Sequence, residues 1–182
     1  PPEPPSKAYW WGVAAFGAAA GGWMLWRTIR ITSRPVMLAI FGGLAVFMIA
    51  MSVFIGVSQT RHGPIAWVYY TPERFADAIG DGNVVVMDFT AEWCLNCKAL
   101  ESAVLYPEPV SALLNSRSGV VPIKVDITGN NELGNEMLRS VGRVTIPLLV
   151  VFAPDGTEVF KSDAYTAQQV IDAIEKAKSM RP

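Results

Sequence analysis

The sequence predicts an α/β domain, a central mixed sheet flanked by helices, preceded by two transmembrane α-helices. Three observations predict it. Two long runs near the start carry no charge. The remainder alternates short apolar strands with amphipathic helices in the order βαβαβαββα. The only two cysteines among 182 residues, Cys94 and Cys97, stand at one strand-to-helix junction of that alternation.

Ala8 to Trp26 is 19 residues without a charge, and Val36 to Val57 is 22. At about 1.5 Å rise per residue they reach roughly 28 and 33 Å, matching a hydrocarbon core of about 30 Å. The 51% hydrophobic content is high for a soluble chain, and the excess is concentrated here. Trp10, Trp11, Trp23 and Trp26 sit near the ends of the first run, where interfacial aromatics are favoured. A buried hairpin of a soluble protein competes with this reading. So does a signal peptide for the first run, weakened by the start at Pro1 and by the second apolar run. Gly17-x-x-x-Gly21, with Ala14, Ala18 and Gly22 nearby, predicts close helix packing in lipid, and Gly42 and Gly43 give the same hint. The connector Arg27 to Pro35 carries Arg27, Arg30 and Arg34 and no acid; the outer flanks carry only Lys7 and Arg61 before Arg74. Positive residues favour the cytoplasmic side, so the connector is expected inside, and the N-terminus and everything after Val57 outside. The expected division is residues 1–60 as the two-helix unit and 61–182 as the folded domain. Pro1 to Pro5 and Ser58 to Pro64 read as linkers.

Within the domain, Ile65 to Tyr70 reads as a first strand. Thr71 caps a helix with Pro72 at its first position, and Gly80 to Asn83 is a turn. Val84 to Thr90 is apolar enough for a central strand covered on both faces. A helix runs from about Cys94 to Val104 and restarts at Pro107. Val120 to Asp126 is a strand, and Asn130 to Val141 a helix with Leu133, Met137, Leu138 and Val141 on one face. Leu148 to Phe152 and Thr157 to Lys161 form a hairpin around Pro154-Asp155-Gly156. Thr166 caps a last helix with Val170, Ile171, Ile174 and Ala177 inward. Residues 61–182 hold 11 Lys/Arg against 15 Asp/Glu, a net of −4 with no basic stripe, which argues against nucleic-acid binding.

Cys94-Leu95-Asn96-Cys97 is a redox site by spacing and context. Cys94 falls at the first turn of its helix, where free N–H groups and the dipole favour a thiolate, so it is expected to attack. Cys97, one turn further in and more buried, is expected to resolve the mixed disulfide. A purely structural bridge closing so short a loop contributes only about 2 kcal/mol. A zinc or copper site needs more soft ligands than His62 supplies, and haem attachment needs His where Lys98 stands. No metal and no cofactor is therefore expected; the redox group is the cysteine pair itself. Asp88, on the strand leading to the site, is a candidate proton-exchange partner of Cys97 if buried; the alternative is an acid paired with Lys98 or solvated. Glu101 shares the helix face of Cys97 and would raise the thiol pKa values; the alternative is an exposed helix acid. Trp93 is expected to shield the site and Glu92 to be solvated. Thr145-Ile146-Pro147 precedes a strand. A cis Pro147 would set the Ile146 backbone beside the cysteines for substrate pairing; a trans proline at a strand start is the alternative.

The stretch Val86 to Lys98, with Thr145-Ile146-Pro147 at the place of a cis-proline loop, resembles a thioredoxin-fold active site over about residues 65–180. A closer resemblance is to the C-terminal part of the DsbD family, the thiol:disulfide interchange proteins of the bacterial inner membrane. It rests on Cys94-x-x-Cys97-Lys98-x-x-Glu101, Tyr106-Pro107-Glu108-Pro109-Val110, Val125-Asp126-Ile127-Thr128 and Asn130-Asn131. The two preceding spans are similar to the last two helices of that family's membrane domain. The resemblance implies a bacterial, multi-pass inner-membrane protein with its redox domain in the periplasm. It also implies an electron relay. A membrane-embedded dithiol would reduce Cys94 and Cys97. They would reduce an N-terminal periplasmic domain that serves disulfide isomerases and cytochrome c biogenesis. Asp88 and Glu101 match acids that tune the cysteines. Neither the membrane cysteine pair nor the N-terminal domain lies in these 182 residues, so a longer chain or separate partners would supply them. Leu95-Asn96 also departs from common thioredoxin dipeptides.

The expected function is thus a membrane-anchored periplasmic protein-disulfide reductase, a thiol:disulfide oxidoreductase. The alternatives are a disulfide isomerase or oxidase, and, from another class, a metal-handling (copper-tolerance) or docking module.

Overall fold

The computed structural model describes residues 8–60, 63–116 and 119–180. The proline-rich start, the flanking charges Lys7 and Arg61, and His62 lie outside them. The chain divides into two compact units, one of two helices and one beginning at Gly63.

In the first unit, α1 spans Tyr9–Ile31 and α2 spans Pro35–Thr60. The expected nine-residue connector is mostly helical: α1 continues through Arg30 and ends with the Thr32 amide donating to the Thr28 carbonyl at 3.0 Å. Gly17 and Gly21 do allow close packing. A side chain at Gly17 would collide with Ser52, and a Cβ at Gly21 would stand 2.8 Å from Ile49 Cγ1. Gly42 and Gly43 do not serve this purpose. A third close approach comes from Gly56, where a Cβ would lie 2.9 Å from that of Ala14. Among the described residues one helical segment, Pro35–Val57, is long and apolar enough to cross a membrane. The first helix misses that mark because Gly, Trp and Tyr dilute its apolar content.

The second unit is a five-stranded mixed sheet in the order β1-β3-β2-β4-β5. The strands are β1 Val68–Tyr69, β2 Val84–Thr90, β3 Val120–Asp126, β4 Leu148–Phe152 and β5 Glu158–Ser162. β1, β3 and β2 run parallel; β4 is antiparallel to β2, and β5 to β4. The helices are α3 Pro72–Gly80, α4 Leu95–Leu100, α5 Val110–Asn115, α6 Glu132–Ser140 and α7 Ala167–Ser179. The first strand is far shorter than the expected Ile65 to Tyr70, because Pro64 and Ala66 are held by the Asn115 side chain rather than by the sheet.

All seven residues of β2 are buried, as its apolar run requires of a central strand. Alternation sends Val84 and Val86 to one face, with Leu105, Val110, Leu114, Val170 and Ile174. Val85, Met87 and Phe89 face the other, with Ala78, Met137 and Leu138. Each such side chain contributes about 1.5–3 kcal/mol by leaving water. Thr166 and Gln169 form a reciprocal capping box on α7, and Asn131 caps α6 through the Gly134 amide at 3.0 Å. The same alternation that buries Val84 and Val86 carries Asp88 and Thr90 to their face of the sheet, and this positions the site.

Candidate active site

Cys94 and Cys97 are joined by a disulfide with an S–S distance of 2.02 Å and a Cα separation of 5.3 Å. Cys94 is the N-cap of α4, and its Sγ accepts from the Cys97 amide at 3.2 Å. Both are buried with Ala91 and packed by Ile127 and Ile146, Cys97 the deeper of the two. On the open side, Trp93 and Leu95 are 68% and 81% exposed. The Ile146–Pro147 peptide is cis, so the proline isomer left open by the sequence is decided. A cleft of about 530 Å³ runs between Asn96, Ala99 and Ala103 on one side and Thr145, Ile146 and Pro147 on the other.

The strand that leads to Cys94 and the helix that carries Cys97 also contribute to a buried polar cluster. Asp88 is 2% exposed and Glu101 1%. Glu101 Oε1 accepts from Thr90 Oγ1 at 3.0 Å, and its Oε2 accepts from Tyr106 Oη at 2.6 Å and Lys124 Nζ at 3.0 Å. Lys124 sits opposite Asp88 in the β2–β3 register, and its ammonium also lies 5.0 Å from the Trp67 ring centroid. Asp88 Oδ2 has no hydrogen-bond partner. Burial and the neighbouring Glu101 charge push the Asp88 carboxyl up to about 7. Burial also acts to raise Glu101, but Lys124, the Tyr106 hydroxyl and Lys98 outweigh it and hold Glu101 below its ordinary value. Burial, the hydrogen bond to Glu101 and its charge drive the Tyr106 phenol upward.

One expectation changes here, and two alternatives fall. Glu92 is not simply solvated: its amide donates to Thr128 Oγ1 at 2.8 Å, and its Oε1 pairs with Lys98 Nζ at 3.3 Å. Lys98 therefore engages Glu92 rather than Asp88. Glu101 is not an exposed helix acid, because α4 runs on into a π-helical turn, Glu101–Leu105, closed by the Tyr106 amide on the Glu101 carbonyl at 2.8 Å. Glu101 opens this wider turn and its carboxylate is turned inward to Thr90, Tyr106 and Lys124.

The family model Thioredox_DsbH, described as a protein of unknown function, DUF255, matches residues 49–180. The chain belongs to the Thioredox_DsbH family. It is 29% identical over 149 residues to thiol:disulfide interchange protein DsbD 2 of Pseudomonas aeruginosa, a match covering 81% of this chain and 23% of that protein. It is 30% identical over 155 residues to thiol:disulfide interchange protein DsbD of Pseudomonas fluorescens, covering 83% of this chain and again 23% of the relative. The chain thus spans under a quarter of the length of these relatives. A thioredoxin from Thermus thermophilus superposes with a TM-score of 0.51 at 24% identity, covering 63% of this chain and 88% of that one, and shows the fold. These matches bear out the DsbD resemblance and the thioredoxin-like architecture.

In this Thioredox_DsbH family member, the residues expected from sequence fall into two groups: Cys94 and Cys97 pack with Ile146 of the cis-proline turn, and Asp88 and Glu101 share the buried cluster. Sequence reasoning missed Thr90, Tyr106 and Lys124. Lys124 carried a usable signal, a lone charge inside the apolar run Val120 to Val125, since a buried cation demands a buried anion. Tyr106 carried none, because its reach to Glu101 depends on the π-helical turn. Among the described residues no group of three or more His, Cys, Asp or Glu is placed to hold a metal.

Proposed function

We propose that this protein is a membrane-anchored, periplasm-facing protein-disulfide reductase. It takes electrons from a membrane-embedded dithiol and passes them to an N-terminal periplasmic domain or other periplasmic thiol proteins. The observation that carries the reading is the Cys94–Cys97 pair at the start of α4, bordered by exposed Trp93 and Leu95 and by the cis Ile146–Pro147 turn. The Pro35–Val57 span and the arginine-rich end of the hairpin support the membrane placement. On this reading α1 is the second, less apolar span, and the redox unit lies outside the inner membrane.

In the reduced form Cys94, as thiolate, attacks one sulfur of a partner disulfide. The partner's second sulfur leaves and takes up a proton. Cys97 then gives up its proton, and its sulfur attacks Cys94 Sγ, which breaks the mixed disulfide. Two electrons have passed to the partner, and Cys94–Cys97 is left oxidised until the membrane dithiol reduces it again. Asp88 accepts the Cys97 proton, since a carboxyl raised to about 7 can take and return one at neutral pH. Glu101 supplies a fixed negative charge nearby. Trp93 covers the disulfide, and the Ile146 backbone beside Pro147 pairs with the substrate strand.

Trapping in membranes tests this. Cys97→Ser is expected to accumulate a covalent complex with a periplasmic thiol protein, and Cys94→Ser to lose disulfide reduction. Full reductase activity in Cys94→Ser would refute it.

A further inference from the structure

The buried cluster holds two carboxyls, Asp88 and Glu101, and one ammonium, Lys124. It is electrically balanced only while one acid keeps its proton, because a second uncompensated charge in the interior is costly. The hydrogen bonds decide which acid that is. Both oxygens of Glu101 are filled by three donors, Thr90, Tyr106 and Lys124. Asp88, although in register with Lys124, has an oxygen that no donor reaches, and its carboxyl meets that of Glu101 in a hydrogen bond that needs a proton on one of the two.

We propose that Lys124 and Tyr106 are positioning residues that lock Glu101 as a permanent anion and thereby assign the exchangeable proton of the site to Asp88. This deepens the reductase reading and rests on it for its catalytic meaning. The other groups facing the cluster do not compete for the role. Lys98 of α4 hydrogen-bonds Glu92 rather than either acid, and adds only its charge to the lowering of both. Tyr69 of β1 and Tyr165 ahead of α7 are both pushed up by burial foremost and by nearby acids, so they stay protonated through neutral pH. On the reductase reading, the Cys97 thiol formed on reduction is the proton's source and destination during turnover. Among the described residues Lys124 and Tyr106 hydrogen-bond Glu101 and neither cysteine, so their effect passes through Glu101.

Carboxyl titration separates this from a structural role. The full chain in detergent micelles, 13C-labelled at Asp and Glu carboxyl carbons and kept as the disulfide, is titrated by NMR. Asp88, identified by its loss in Asp88→Asn, is expected to inflect near neutrality, while Glu101 stays ionised through that range. In Lys124→Met the Glu101 inflection is expected to move upward by about one pH unit or more. Tyr106→Phe is expected to move it in the same direction by less. A wild-type Glu101 that inflects near neutrality, or two variants that titrate like wild type, would overturn the proposal. If Lys124→Met does not fold, the wild-type curve and Tyr106→Phe still decide. The measurement needs no turnover. A chain without reductase activity but with these titrations would therefore refute the proposed function and leave this assignment standing.

Discussion

At the scale of single residues, Asp88 is a burden that the fold carries for chemistry. Its carboxyl is raised from the ordinary 3.8 to about 7, chiefly by burial and then by Glu101. The folded state therefore holds this proton more tightly than the unfolded one. The associated stability is fully present below pH ~4 and is lost as pH rises through about 7. Asp88→Asn removes the charge that must otherwise be buried without a partner. The variant is expected to be more stable than wild type at pH 8 by roughly 2–4 kcal/mol and nearly equal to it at pH 4. Urea midpoints at the two pH values measure this. A variant less stable at pH 8 would contradict the burial argument. The same substitution should slow resolution of the mixed disulfide, so stability and turnover move in opposite directions at this position.

At the scale of elements, how much could be read from the chain depended on how local the signal was. β2, β3 and β4 were legible to the residue, because a dominantly apolar, β-branched run marks a buried strand even where a single charge, Asp88 or Lys124, interrupts it. The α7 cap was legible because Thr166 and Gln169 satisfy each other within one turn. The end of α4 was not, since a π-helical turn leaves no periodic mark and is selected by Glu101 finding Thr90, Tyr106 and Lys124 across the fold. β1 was overcalled because Ile65, Trp67 and Tyr70 are apolar for core packing, not for sheet pairing. Gly63 shows the same dependence on distant partners. A Cβ there would stand 2.5 Å from Tyr106 Cζ, and a rigid ring cannot yield as a flexible chain end does. Gly80, the last residue of α3, has nothing within 4 Å of its missing Cβ. Gly63→Ala is expected to cost about 1–3 kcal/mol, and Gly80→Ala to be neutral or to stabilise by up to about 1 kcal/mol. Chemical unfolding of both variants checks the contrast; equal effects would mean that the packing of Gly63 on Tyr106 is not what constrains the first position.

At the scale of the whole molecule, the two units present different surfaces. Among the described residues, the core clusters of the redox unit draw on Ile65 to Ala177. That unit of roughly 120 residues has the size at which one hydrophobic core sustains a domain. The helical unit instead leaves Phe16, Trp23, Ile40, Phe47 and Phe54 mostly exposed, which water penalises and a hydrocarbon phase does not. A chain cut to residues 63–182 is therefore expected to be soluble without detergent, to unfold cooperatively, and to keep both disulfide reduction and the neutral inflection of Asp88. The full chain is expected to require detergent or lipid. Calorimetry of the truncated chain, with insulin reduction as the activity measure, tests the separation. A truncated chain that aggregates or melts without a cooperative transition would mean that the helical unit supplies part of the redox unit's stability, and that the exposed apolar side chains answer to protein rather than to lipid.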